Sequence, residues 1–448
     1  MRNSLFVGLL FLFVTLWAGC TTPTATPEVT TQASPEPTPE PTATVTLAPT
    51  PEPTATATLV PTPELTSEAT AEATPNDGNT FQTLLGKSEA QVQAKIDAAW
   101  QHLFYGDADR ERIYYEVGDD MAYILDVNNN DIRSEGISYG MMIAVQMDKQ
   151  AEFNRIWKWA KTYMYQTEGP NAGYFSWHNR TDGTPIDRGP ASDGEIWMTM
   201  ALFFAAHRWG NGEGIFDYEA QANAILHTML HKGEDGGVAT AMFDPETKLV
   251  VFVPARGRVS EFSDPSYNVP HYYNLWAQWA KADNDFWREA TAASRAYLKL
   301  AAHPETGLMP DYAEFDGTPV KFGGGNHDNF AYDAWRTTMN IALDHAWNGA
   351  DPWQVEHVNR VLNFFYNEGI NSYVAEYTLD GQPLASYRGS GLISINGAAA
   401  AIASTEDHRV EFVQALWNQS PPSGQYRYYD GLLYFMSLLI ASGNFNVH

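Results

Sequence analysis

The stretch DGEIWMTMALFFAAHRWG, Asp193 to Gly210, is apolar on nearly every side when wound as a helix. A helix without a polar stripe has to be enclosed by other structure. The chain supplies that enclosure in kind. EFNRIWKWAKTYMY (Glu152 to Tyr165) sets Phe153, Ile156, Trp157, Ala160 and Met164 on one helical stripe. HYYNLWAQWAKA, DFWREATAASRAYLKLAAH, DAWRTTMNIALDHAWN, PWQVEHVNRVLNFFYNEG and YYDGLLYFMSLLIASG keep the same period. Loops rich in Gly, Pro, Asp and Asn separate them. Strand-like runs such as KLVVFVPA (Lys248 to Ala255) are too few for an α/β sheet. The pattern predicts an all-α fold of about a dozen paired helices, a toroid with acidic and aromatic loops gathered at one end.

Three segments follow from composition. Residues 1–20 carry Arg2 and then an apolar run, Leu5 to Trp17, short for a membrane span, and end on Cys20, the only cysteine. Small residues ahead of that cysteine resemble the lipobox of bacterial lipoproteins, which implies lipidation at Cys20 and a site on the outer side of the cell envelope. Ordinary secretion is the alternative. No cysteine follows position 20, so a disulfide cannot form within the rest of the chain. Residues 21–77 are a Thr/Pro/Glu-rich linker, which cannot bury a core and is expected to stay extended and solvated. Residues 78–448 read as one large domain, expected to be monomeric.

Charge excludes some partners. The chain carries 27 Lys+Arg against 54 Asp+Glu. A phosphate backbone needs a basic surface, so nucleic acid is excluded. A basic membrane-docking patch is disfavoured as well, and contact with a membrane is expected only through the lipid anchor. Neutral sugars are not excluded. Aromatic residues make up 13% of the chain, which serves either a core or a sugar-stacking groove.

Chemistry concentrates where polar loops run into buried helices. DVNNNDIRSEGISYG, Asp126 to Gly140, is dense in Asp and Asn but fails as an EF-hand. From Asp126, the sixth residue is Asp131 where Gly is required, and the twelfth is Ile137 where Glu is required. Glu135 stands at the start of an apolar helix near Tyr139. Desolvation there would keep its proton on, whereas the helix dipole would favour the anion. A plain helix-terminal Glu satisfying backbone amides is the bland alternative. Asp193 repeats the placement, with an N-cap role as its alternative. Asp264 and Tyr267 precede a further helix, and Asp333 with Arg336 is either a site pair or a surface i,i+3 pair. HTMLH, His227 to His231, lacks the Glu of a zinc protease and reads as structural.

The segments IYYEVGDDMAYILDVNNNDIRSEGISYGMMIAVQMDK, GYFSWH, GPASDGEIWMTMALFFAAHRWGNGEGIFDY, FSDPSYNVPHYYNLWA and YDAWRTTMNIALD together resemble glycoside hydrolase family 8. Among its members, the chain is most similar to the reducing-end xylose-releasing exo-oligoxylanases. The resemblance implies an (α/α)6 barrel and an inverting hydrolase for β-1,4-xylosidic bonds in xylan or xylo-oligosaccharides, with no cofactor or metal. It implies Glu135 as general acid, Asp333 as general base, and Asp193 between them on the sugar at the cleavage point. Tyr267 would position the attacking water. Arg336 and Trp177 match positions that contact sugar, and Tyr139 lies with them. The role of Asp264 stays open between sugar contact and helix cap.

One departure bears on the mode of attack. The exo-acting members carry a Leu-His-Pro turn that walls off the cleft beyond the reducing-end sugar. Here the stretch is SYRGSGLISING, with Tyr387, Arg388 and Gly389 at those places. A glycine-containing loop predicts an open cleft and endo cleavage, unless Tyr387 or Arg388 closes it another way. The competing functions are a β-1,4-glucanase or chitosanase of the same family, a non-catalytic sugar-binding lipoprotein, and a terpene-cyclase-like toroid. An export signal and the lack of an Asp-rich diphosphate motif disfavour the last.

Overall fold

The computed structural model describes residues 78–234, 237–349 and 351–448, all within one compact unit. The signal segment, Cys20 and the linker lie outside the described residues. Thirteen α-helices occur among the described residues. They are α1 (Thr80–Leu85), α2 (Glu89–Trp100), α3 (Ser134–Gln146), α4 (Gln150–Trp159), α5 (Ser192–Trp209), α6 (Tyr218–His231) and α7 (Pro270–Trp279). After them come α8 (Asn284–Ala301), α9 (Trp335–Asn348), α10 (Pro352–Asn367), α11 (Ser390–Ala403), α12 (Arg409–Asn418) and α13 (Arg427–Ala441).

Burial sorts the helices into two rings. In α3, every residue but Glu135 is buried, and α5 and α13 are buried over almost their whole length. With α7, α9 and α11 they form the inner wall. Trp197 of α5 meets Tyr272 of α7 edge-on at 5.1 Å, and α9 packs on both α7 and α11. The ring closes where α13 lies against α11 and α3. Between them in the chain come α2, α4, α6, α8, α10 and α12. Of these, α8 buries only one stripe, including Trp287, Ala290, Ser294, Tyr297 and Leu298. Exposed positions on it carry Arg288 and Lys299, while Arg295 reaches in to buried Asp344 of α9. The alternation of enclosed and one-sided helices is the (α/α)6 barrel.

The strands are short antiparallel pairs that dress the ends of the barrel: Tyr114–Val117 with Met121–Ile124, Ile132–Arg133 with His178–Asn179, and Phe262–Ser263 with Ala313–Glu314. Lys248 to Ala255 forms only isolated bridges, Phe243 to Val250 and Ala239 to Ala255. Its apolar side chains join the core instead of building a ladder, Leu249 packing with Tyr297 of α8 and Ala313. The Asp126 loop closes on itself. Asp126 accepts from the Asn128 and Asn129 amides and pairs with Arg133, while Asp131 holds Arg133 and His178. These carboxylates are committed to fixing the strand that leads into Glu135.

Candidate active site

Four carboxylates from four separate stretches of chain converge on one guanidinium. Arg336 Nη1 donates to Glu135 Oε2 at 3.0 Å, Asp193 Oδ2 at 3.1 Å and the Tyr139 hydroxyl at 3.0 Å. Its Nη2 donates to Asp333 Oδ1 at 2.9 Å and lies 3.5 Å from Asp264 Oδ2. Its Nε donates to the Asp333 carbonyl. The Arg336 side chain is 2% exposed, so this residue is the floor of the site. Tyr139 is likewise buried beneath it. Both side chains lie beneath the carboxylates, at the base of the site. A carboxylate ring needs a buried counter-charge, and Arg336 with its tyrosine partner fills that role.

Local sequence explains how the acids reach the ring. Ser134-Glu135-Gly136 opens α3 and Ser192-Asp193-Gly194 opens α5, so each acid is the second residue of its helix. The N-cap positions of the two helices, Arg133 and Ala191, make no side-chain cap, and Asp193 Oδ1 accepts from the Gly194 amide at 2.9 Å. Each glycine marks a close approach. A Cβ on Gly194 would fall 2.4 Å from Ser134 Oγ, and one on Gly136 would fall 2.5 Å from the Tyr428 ring. Hydrogen at these positions lets α5 and α13 close on α3. Of its two open roles Asp264 fills that of the cap: it caps the Pro265–Tyr267 turn through the Ser266 amide at 2.7 Å, while its other oxygen faces Arg336. Asp333 lies in the turn before α9, not on the helix, so the Asp333–Arg336 spacing is a turn geometry.

Exposure assigns different tasks to the four. Their side chains are 18% (Glu135), 8% (Asp193), 0% (Asp264) and 27% (Asp333) exposed. Asp333 is the most open to water. The surrounding protein pushes the Glu135 carboxyl up to about 7; the Arg336 charge opposes the burial, and the Asp193 and Asp333 charges add to it. Burial thus outweighs the Arg336 charge, and the Glu135 carboxyl is poised to hold a proton toward neutral pH. Burial also raises Asp193, and it raises Asp264 well above the ordinary range. The Glu135 and Asp333 oxygens sit on different terminal nitrogens of one guanidinium, at 3.0 and 2.9 Å.

The flanking groups are placed by backbone. The Trp177 carbonyl accepts from the Ser134 amide at 2.9 Å, which ties the partly exposed Trp177 to the residue before the acid. Buried Glu195, pushed up to about 8 mainly by burial, anchors the same loop by accepting from the Phe175 amide at 3.1 Å. Tyr267 lies with its ring 5.5 Å from the Arg336 guanidinium carbon, a cation–π contact at the edge of the ring of acids. His231 is held between Glu234 and Asp283, in keeping with a structural role.

Sequence reasoning missed the contribution of α13. Three consecutive residues there each hold a different part of the site. The Tyr428 hydroxyl donates to Glu135 Oε1 at 3.1 Å, the Tyr429 hydroxyl donates to the Tyr332 carbonyl at 2.8 Å, and Asp430 accepts from Ser390 Oγ and the Gly391 amide. The only available signal was the polar-aromatic run YRYYD ahead of a buried helix, the pattern already seen at the acids.

A helical barrel with one carboxyl raised by burial, a second more exposed carboxylate and aromatic side chains beside them fits a glycosidase. The chain belongs to glycosyl hydrolases family 8, whose profile it matches over residues 123–443. It is 46% identical over 379 residues to the reducing-end xylose-releasing exo-oligoxylanase Rex8A of Paenibacillus barcinonensis, covering 83% of this chain and 98% of that one. A solved structure of that relative complexed with xylose superposes with a TM-score of 0.79 at 47% identity, covering 83% of this chain and 97% of the other. A family 8 xylanase from Teredinibacter turnerae, solved as a catalytic mutant with xylohexaose, gives a TM-score of 0.78 at 47% identity, covering 82% and 97%.

Proposed function

We propose that this protein hydrolyses β-1,4-xylosidic bonds in xylan or xylo-oligosaccharides with inversion at the anomeric carbon. The observation that carries the reading is the pairing of Glu135, raised to about 7, with the more open Asp333 across Arg336. Glu135 gives its proton to the departing glycosidic oxygen. Asp333 takes a proton from a water on the opposite face of the ring, and that water attacks the anomeric carbon. Asp193 binds and distorts the sugar at the cleavage point, and Tyr267 orients the water. Trp177 offers a flat apolar face to a pyranose ring.

The mode of attack turns on the loop ahead of α11. Gly389 does not mark an open loop: its φ is −86°, and a Cβ there would fall 2.6 Å from the Trp335 ring, so the glycine serves close packing. Arg388 turns away to the Ile370 carbonyl and the Tyr373 ring. Tyr387, by contrast, joins its hydroxyl to that of Tyr332, the neighbour of Asp333, and to Glu376 Oε1. This tyrosine bridge between the loops leading into α9 and α11 supports release from the chain end rather than the endo cleavage that the glycine suggested.

The test is a product time course of the full-length protein on xylohexaose, with cellohexaose and a chitosan hexamer alongside and Glu135→Ala as the blank. Xylose is expected from the first turnovers, with the chain shortening by one unit at a time. Tyr387→Gly is expected to add mixed oligomers. Faster cleavage of cellohexaose or the chitosan hexamer would replace the xylan reading. No cleavage at all would favour a binding protein. Residues 1–20 support export as a lipoprotein anchored through Cys20. A Cys20→Ala chain should then leave the membrane fraction, and its retention there would count against the anchor.

A further inference from the structure

Asp333 has an unusual burden for a general base. It lies in the turn just before α9, where its carbonyl accepts the Arg336 amide at 3.2 Å, so its own carboxylate stands outside the regular helix. Arg336 holds its carboxylate and its carbonyl, but Arg336 is shared with three other acids.

A second pair of side chains meets this turn from the far side. Buried Asp311 accepts the Ala334 amide on Oδ1 at 3.0 Å, and that amide belongs to the peptide directly after Asp333. Its Oδ2 lies 3.1 Å from His327 Nδ1. The two segments are also zipped by backbone: the Asp311 amide donates to the Asn329 carbonyl at 3.0 Å and the Tyr312 amide to the His327 carbonyl at 2.9 Å. The His327 ring is stacked on Tyr312, with centroids 4.3 Å apart and planes 21° from parallel. On its edge a Cβ at Gly325 would fall 2.5 Å from His327 Nε2, so glycine lets the loop close over the imidazole. The ring is thereby fixed in place with one nitrogen aimed at Asp311.

We infer that Asp311 and His327 form a positioning pair for the general base, Asp311 pinning the peptide that carries Asp333 and His327 holding Asp311 in place. The inference rests on the reading of Asp333 as base. Neither residue need touch sugar. The chemistry of the pair suits the task. Asp311 faces Asp333 and Asp264, so an anion there is opposed by its neighbours as well as by burial, and its carboxyl stands at about 6. A cationic imidazole relieves this, and Asp311, Asp333 and Asp328 all raise the His327 pKa. Misplacing a catalytic carboxylate by about 1 Å costs up to ~10²-fold in rate.

The test uses full-length protein carrying His327→Ala, His327→Asn or Asp311→Asn, assayed on xylohexaose and on β-xylobiosyl fluoride. Fluoride leaves without help from an acid but still needs the base to activate water. His327→Ala and Asp311→Asn are expected to lose about 10–100-fold in kcat with KM nearly unchanged, and the loss should persist on the fluoride. Glu135→Gln, by contrast, should recover on the fluoride. His327→Asn, which can keep a donor near Nδ1, should recover most of the rate, and it carries the test if His327→Ala does not fold. A kcat within twofold of the parent in folded His327→Ala, or a defect that disappears on the fluoride, would overturn the positioning role. Failure of the parent protein itself to cleave either substrate would instead overturn the function.

Discussion

Glu135→Gln should lower kcat on xylohexaose by about 10³-fold or more while leaving the fold intact. Glutamine keeps the shape and accepts from Arg336 as the carboxylate does, but it has no proton to give at the rate the leaving group requires. General acid catalysis contributes about 10²–10⁴-fold. The parent enzyme should show the matching pH dependence. A group held up at about 7 is protonated below that pH and ionised above it. The activity that depends on its proton is therefore full on the acid side and lost as pH rises through about 7. A kcat/KM profile that stays flat to pH 9, or a Glu135→Gln enzyme within tenfold of the parent, would remove Glu135 from the acid role.

Arg336→Met should be the most destabilising change in the site. The parent arrangement gathers Glu135, Asp193, Asp264 and Asp333 around one buried cation. Methionine fills much of the space and leaves the acids facing one another. Breaking a buried ion pair by removing one partner costs about 3–5 kcal/mol. Protonation relieves part of the repulsion, so the penalty should be larger at pH 8 than at pH 5. Arg336→Lys should fall between, because one ammonium cannot span the Glu135 and Asp333 oxygens as the guanidinium does. Urea midpoints at the two pH values check this. Equal midpoints for parent and Arg336→Met would show that the carboxylates do not depend on the cation.

What could be read from the chain depended on how local the signal was. The enclosure of α5 followed from its lack of a polar stripe, and the same logic placed α3 inside. The four acids were legible because each ends a polar loop at the mouth of a buried helix. The role of Arg336 was not, since an Asp–Arg pair at i,i+3 looks the same on a solvated surface as at the centre of a site. Tyr428 acts on Glu135 across 293 residues, and no local pattern encodes such a partner. Gly389 misled for a related reason: glycine reads as freedom in a sequence, but here Trp335 occupies the space its side chain would need. The Asp311–His327 pair lay in segments that read only as loop. Its meaning comes from the Ala334 amide, which a sequence does not display.

The measurement that tests the central claim most directly is proton NMR of the first turnovers on xylohexaose, recorded before the new reducing end mutarotates. An acid and a base acting from opposite faces of a β-linked sugar should place the newly formed reducing end in the α configuration. A new reducing end in the β configuration would mean a covalent intermediate on one of these carboxylates and would contradict the roles assigned to Glu135 and Asp333.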